Sequence, residues 1–211
     1  LNENDEPDEL VSQLRSGDQE ALAAIFSKYR ERLWRMVNFR MDRRLLGRVD
    51  PDDVLQEAYI TLAARIADFD TSPSLGLLVW LRTMVMQTLT DLHRHHLGAQ
   101  MRDAGREVVL GGCQYPQTTS VSLAAQFAAR LTSPSNAAIR AELFDQAKRA
   151  IAELDPLDQE VLALRHFEEL GNRDVAEVLG IREKAASIRY VRALKRLKIV
   201  LAQVPGLSGE G

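Results

Sequence analysis

Asn172-Arg-Asp-Val-Ala-Glu-Val-Leu-Gly-Ile-Arg-Glu-Lys-Ala-Ala-Ser-Ile-Arg-Tyr-Val-Arg192 is the stretch from which the rest of the chain is read. Asn172 can cap a short helix, small Ala176 permits close helix crossing, Gly180 supplies a left-handed turn residue, and Ile181 plugs the corner. That spacing predicts a helix-turn-helix. In its second helix Ala186, Tyr190, Ala193 and Leu197 share one face, while Arg182, Ala185, Arg189, Arg192 and Arg196 share much of another. An outward face of guanidinium groups fits the major groove of a duplex, where arginine bonds phosphate or reads guanine. The competing reading is a solvated basic helix end stabilised by its dipole.

Working outward, Leu154–His166 reads as a capped helix start with Leu157, Val161 and Leu164 inward, and helical periodicity runs from Ala137 to about Val204. Toward the N-terminus, Leu22, Ile25, Phe26, Tyr29, Leu33, Met36 and Val37 form an amphipathic stripe predicted to extend to about Leu46. Gly17-Asp18 stops one helix and caps the next. Asp50-Pro51, followed by Asp52 and Asp53, starts a third helix with Leu55, Tyr59, Leu62 and Ile66 inward. After Thr71-Ser72-Pro73, Leu77, Trp80, Leu81, Met84 and Thr88 repeat at helical spacing to about Leu97. From Gly98 to Asn136 glycines, Pro116 and a polar run break the pattern, apart from a short helix near Leu123–Leu131. The expected fold is all-α, with two small helical domains. Residues 1–97 and 136–204 form them, 98–135 are a linker and 205–211 a flexible tail.

The chain has 211 residues, 45% of them hydrophobic and 27% charged, which excludes long disorder and fibrous repeats. No run is long and apolar enough to span a membrane, and residues 1–9 are acidic rather than a basic leader, so a cytoplasmic protein without membrane insertion is expected. The sequence opens on Leu1 rather than methionine, so a few preceding residues are expected. One cysteine, Cys113, cannot form an internal disulfide. Net charge is −3, but it is unevenly placed: residues 1–20 carry −6, 28–48 carry +6, 50–70 carry −5 and 182–198 carry +6. Alternating blocks imply several surfaces and partners.

Asp52-Asp-Val-Leu-Gln-Glu57, then Phe69, Trp80-Leu81, Gln87, Asp91 and Arg94 resemble region 2 of bacterial sigma factors of the extracytoplasmic-function class. Leu154–Leu197, with its Arg-Ala-Leu-Lys-Arg-Leu ending, resembles region 4 of the same family, and Ser133-Pro-Ser135 with His96–Gln100 resembles a long-linker subgroup. The resemblance implies a promoter-specificity subunit that binds the clamp helices and flap of core RNA polymerase and recognises promoter DNA at its −10 and −35 elements. By position, Asp53, Gln56 and Glu57 would bind polymerase. Arg82, Thr83, Met86, Gln87, Thr90 and Arg94 would line the −10 surface, and Arg182, Lys184, Ser187, Arg189 and Arg192 would meet the −35 duplex. The family usually has Asn where Gln87 stands, which bears on base preference. An anti-sigma factor, phosphorylation and the linker itself are alternative controls that the sequence leaves open.

No catalytic triad, P-loop or dinucleotide fingerprint is present, so neither an enzyme nor a cofactor is expected. The rival reading is a stand-alone helix-turn-helix regulator that binds a palindrome as a dimer; an adaptor that binds neither DNA nor polymerase is a third. Trp80 is either a stacking platform for an unpaired base or a core residue. His93 and His96 are an incomplete metal site, since Arg94 between them repels a cation; a DNA-facing basic patch is the better expectation. Cys113 is read as an unmodified loop thiol, and the Lys28–Arg48 cluster as either a solvated helix side or a polymerase or DNA contact.

Overall fold

The computed structural model describes residues 8–42, 44, 45, 47–66, 76–97, 109, 110, 113, 114, 119–131 and 137–202. The chain divides into two compact units, residues 1–105 and 106–211. The expected break at Thr71–Pro73, Phe69, the Ser133–Ser135 motif and the tail at 205–211 lie outside the described residues, as does most of the expected linker.

In the first unit, α1 spans Asp8–Arg15, α2 Gln19–Arg40, α3 Pro51–Ala64 and α4 Leu77–Leu97. Gly17, at φ +85°, makes the left-handed turn between α1 and α2. Asp18 then caps α2, accepting from the backbone N–H of Glu20 at 2.8 Å and of Ala21 at 3.3 Å. The helix stops at Arg40, short of the expected Leu46, because Met41 turns extended. Beyond it the Asp42 carboxylate accepts from the Arg44 backbone N–H at 2.9 Å and holds its guanidinium at 2.7 Å. This local bonding competes with continued helix, a competition invisible to apolar periodicity. Asp50 and Asp53 close a capping box ahead of Pro51 at the start of α3.

The predicted α2 stripe is buried throughout, from Leu22 and Ile25 to Met36 and Val37. It packs on Val54, Leu55, Ala58 and Leu62 of α3 and on Trp80, Leu81, Val85 and Leu89 of α4. Phe26 and Tyr59 meet edge to face with centroids 5.2 Å apart. Each such side chain contributes about 1.5–3 kcal/mol through burial. Trp80 is part of this core.

The second unit opens with a two-residue antiparallel pair, Val109–Leu110 (β1) and Cys113–Gln114 (β2), the only strands among the described residues of an otherwise all-α fold. Helices follow: α5 at Thr119–Leu131, α6 at Ala137–Ala152, α7 at Pro156–His166, α8 at Asn172–Leu179 and α9 at Glu183–Ala202. The helix expected within the linker is longer than its sequence pattern suggested, and α5 packs on α6 and α7. Ala128 joins Leu143, Phe144 and Ala150 in one cluster, and Phe127 meets Phe167 edge to face. The buried Thr119 hydroxyl donates to Oε2 of buried Glu160 at 3.0 Å.

A candidate nucleic-acid interface

Helices α8 and α9 form the predicted helix-turn-helix. The N-cap of α8 is Gly171 rather than Asn172, which is the first helical residue. Asp174 reaches back one turn to accept from the Gly171 N–H at 3.3 Å, which ties down the cap residue itself, while the glycine brings no side chain to cap the first-turn N–H groups, the work expected of the asparagine. Gly180 ends α8 at φ +63°, and the Ile181 N–H closes onto the Ala176 carbonyl at 2.9 Å. The inner face of α9 is Ala186, Ala193 and Leu197, all buried; half-buried Tyr190 brings its hydroxyl to 3.1 Å from His166 Nε2 and lies under the Arg165 guanidinium.

The arginines expected to face DNA are split between two roles. Arg189 Nη1 donates to Asp158 Oδ1 at 2.8 Å, Arg192 Nη2 donates to the same oxygen at 3.3 Å, and Arg196 Nη1 donates to Oδ2 at 3.5 Å. Asp158 lies in the first turn of α7, 0% exposed, where a carboxylate also meets the positive end of the helix dipole. Arg189 is additionally 3.6 Å from Asp155. Arg189 thus points into the domain, whereas Arg182, Lys184 and Arg192 stand exposed and Ser187 is half-buried. Sequence reasoning missed Asp158, whose partners lie at least 31 residues away.

In the first unit Asp53, Gln56 and Glu57 are exposed on α3, and Ile60 continues the same face at 58% exposure. Asp53 also accepts from the Asp50 N–H at 3.2 Å, so part of its work is local. On α4, Thr83, Gln87, Thr90 and Arg94 form one solvent-side stripe. The Thr83 and Thr90 hydroxyls donate to the Val79 and Met86 carbonyls, each at 2.8 Å. Arg82 and Met86, expected along the same surface, instead face inward, 1% and 5% exposed.

His93 is likewise inside rather than on a DNA-facing patch: it is 1% exposed, and its Nε2 accepts from the Asp42 backbone N–H at 3.2 Å, tying α4 to the end of α2. Burial pushes its pKa below the ordinary value, with nearby Asp42 opposing the shift and Arg44 adding to it. His95 and His96 are exposed, and no group of three metal-ligating side chains occurs among the described residues. Of the Lys28–Arg48 cluster, Arg40 is buried, Arg30 pairs with Asp52, Arg35 with Glu31 and Arg44 with Asp42. No described helix is long and apolar enough to cross a membrane.

A helix-turn-helix with a cationic outer surface, joined in one chain to a separate helical bundle, defines a DNA-binding transcription protein. Residues 144–197 match the family Sigma-70, region 4. Over 189 residues the chain is 24% identical to the ECF RNA polymerase sigma factor SigW of Bacillus subtilis, covering 89% of this chain and 92% of that one. Over 192 residues it is 27% identical to the ECF RNA polymerase sigma factor BldN of Streptomyces coelicolor, covering 90% of this chain and 64% of the relative. The solved CnrH, in complex with the cytosolic domain of CnrY, shares the fold with a TM-score of 0.51 at 19% identity, covering 92% of this chain and 97% of CnrH.

Residues 144–197 thus carry a Sigma-70 region 4 domain, and over nine-tenths of its length the chain is similar to RNA polymerase sigma factors of the extracytoplasmic-function class. It directs core RNA polymerase to promoters, and it is a transcription initiation factor rather than an enzyme. Resemblance extending over nine-tenths of the chain, well beyond the helix-turn-helix, disfavours a stand-alone regulator.

Proposed function

We propose a division of labour within this sigma factor. Residues 1–97 engage polymerase and the −10 element; residues 136–204, with α5 added, engage the −35 duplex; and the chain between them is the tether. Asp53, Gln56 and Glu57 meet the polymerase clamp helices from the exposed face of α3. Thr83, Gln87, Thr90 and Arg94 of α4 hold the unpaired −10 strand by edge hydrogen bonds and a backbone cation. Arg82 and Met86 support that helix from inside. In the −35 duplex, α9 lies in the major groove with Arg182, Lys184 and Ser187 toward DNA, Arg189 fixes the helix through Asp158, and half-exposed Arg192, bonded to the same carboxylate, reaches the DNA backbone only from the edge of that face.

The observation that carries this reading is the α8–α9 corner at Gly180, which leaves the outer face of α9 open beside a buried inner face. Two domains on one tether gain affinity by simultaneous engagement. The working compartment is the cytoplasm, where polymerase and promoter meet. CnrH was solved in complex with the cytosolic domain of CnrY, which supports a regulatory partner of the anti-sigma kind here too. Assignment to a long-linker subgroup rests on the Ser133-Pro-Ser135 and His96–Gln100 motifs alone.

The test is run-off transcription from a promoter library by core polymerase with and without this chain. Start-site-specific transcripts sharing two upstream motifs are the expected result. Loss of dependence on the upstream motif when residues 136–211 are removed would place −35 reading in the second domain; unchanged dependence would sink that assignment.

A further inference from the structure

The outermost stripe of α9 is not arginine. Lys184, Ile188, Val191 and Lys195 recur at helical spacing on the side opposite Ala186 and Ala193, and all four are exposed. Ile188 is 57% and Val191 49% exposed, two of the four large apolar side chains left in water among the described residues. The arginines that would otherwise supply a guanine-reading face lie to one side, with Arg189, Arg192 and Arg196 drawn toward Asp158. A lysine thus brackets each end of an apolar pair, the whole stripe rising about 16 Å along the helix, comparable with a major groove about 12 Å wide.

We infer that Ile188 and Val191 read thymine in the −35 element through its C5-methyl group. That methyl is the one apolar feature in the major groove, and it distinguishes thymine from every other base there. Branched aliphatic side chains with no donor or acceptor cannot satisfy a guanine or adenine edge, and they favour a position where a methyl replaces water. Lys184 and Lys195 supply sequence-independent phosphate contacts on either side. Charge thus holds the stripe against the backbone while its centre discriminates by shape and hydrophobicity. This inference rests on the proposed reading of α9 as the duplex-binding helix.

The test uses the full chain with core polymerase. A −35 library is selected first, and then each selected thymine is replaced singly by deoxyuridine, which removes the methyl and keeps every hydrogen-bonding atom. The expected result is thymine enrichment at one or two positions, with promoter affinity falling about three- to fivefold per methyl removed, the transfer worth of one buried carbon. Ile188→Ala or Val191→Ala should abolish the corresponding deoxyuridine effect; both residues are exposed, so folding is not at stake. If Lys184→Ala and Lys195→Ala weaken binding on all sequences while deoxyuridine is neutral, α9 is still the duplex helix and the thymine inference is overturned. If none of these substitutions changes promoter binding, the reading of α9 itself fails, and the inference with it.

Discussion

Arg189 donates to Asp158 across 2.8 Å, joining the middle of α9 to the first turn of α7 through a carboxylate with no exposure to solvent. The arginine with the strongest claim on DNA from sequence spacing is thereby a strut within the domain. It should act on promoter binding through the angle at which α9 is presented.

Removing Asp158 leaves three guanidiniums without their shared acceptor. Because Arg192 and Arg196 keep side-chain exposures near half, 47% and 52%, water relieves part of the loss. Asp158→Ala should lower the unfolding free energy by about 2 kcal/mol, below the range for a fully buried pair. Urea unfolding followed by circular dichroism checks this; an unchanged midpoint would count against the network.

Arg189→Ala and Lys184→Ala should separate the strut from the contact. Arg189→Ala lowers −35-dependent transcription and thermal stability together, whereas Lys184→Ala lowers transcription alone, since its side chain is exposed. Run-off assays paired with melting curves read both quantities.

Gly180 sits at φ +63° with open space where a Cβ would project, so substitution there costs backbone strain without collision. Gly180→Ala should destabilise by about 1–2 kcal/mol, the usual cost of a left-handed L-residue. Asn, which tolerates that region better, should recover part of the loss.

Buried His93 gives the first unit a pH dependence of definite sign. Its folded pKa lies below the unfolded value, so between the two the unfolded chain binds the extra proton. Stability is therefore full above about pH 6.5 and declines as pH falls through that value, by at most about 1.4 kcal/mol per pH unit. His93→Gln keeps an acceptor for the Asp42 N–H and should flatten the dependence. Urea midpoints at pH 7.5 and 5.5 measure it above the range where Asp42 titrates, its pKa being lowered by the hydrogen bond from Arg44.

Gln56 is exposed on α3 and belongs to no described contact of the core. Gln56→Ala should reduce affinity for core polymerase severalfold with melting temperature and naked-DNA binding unchanged, as read by titration of labelled protein into polymerase.

Features encoded locally were legible in the chain. Asp18, the Asp50-Pro51 start and the Gly180 turn each act within a few residues, and the α2 stripe has a polar side to contrast with its buried one. Helix α4 offered no such contrast. Leu77 through Leu81, Met84 through Met86 and Leu89 are all buried, so apolar periodicity could not say that Arg82 and His93 also turn inward while Gln87 turns out. The role of Arg189 depended on a carboxylate 31 residues upstream, and the outward Ile188 and Val191 were overshadowed by the arginines beside them.

The sharing of one carboxylate by three arginines also bears on how this sigma factor responds to ionic strength. Duplex affinity falls with salt in proportion to the phosphates a protein neutralises, about 0.9 in logarithmic slope for each. Seven cations between Arg182 and Lys198 suggest a steep response. Arg189, Arg192 and Arg196 share one internal carboxylate, which offsets one of their three positive charges, so the slope should fall short of the full count by about one phosphate's worth. Helix α9 should therefore behave, to the ions around a promoter, as a helix of fewer charges than its sequence contains, and −35 binding should persist into salt concentrations that a bare count of arginines would forbid.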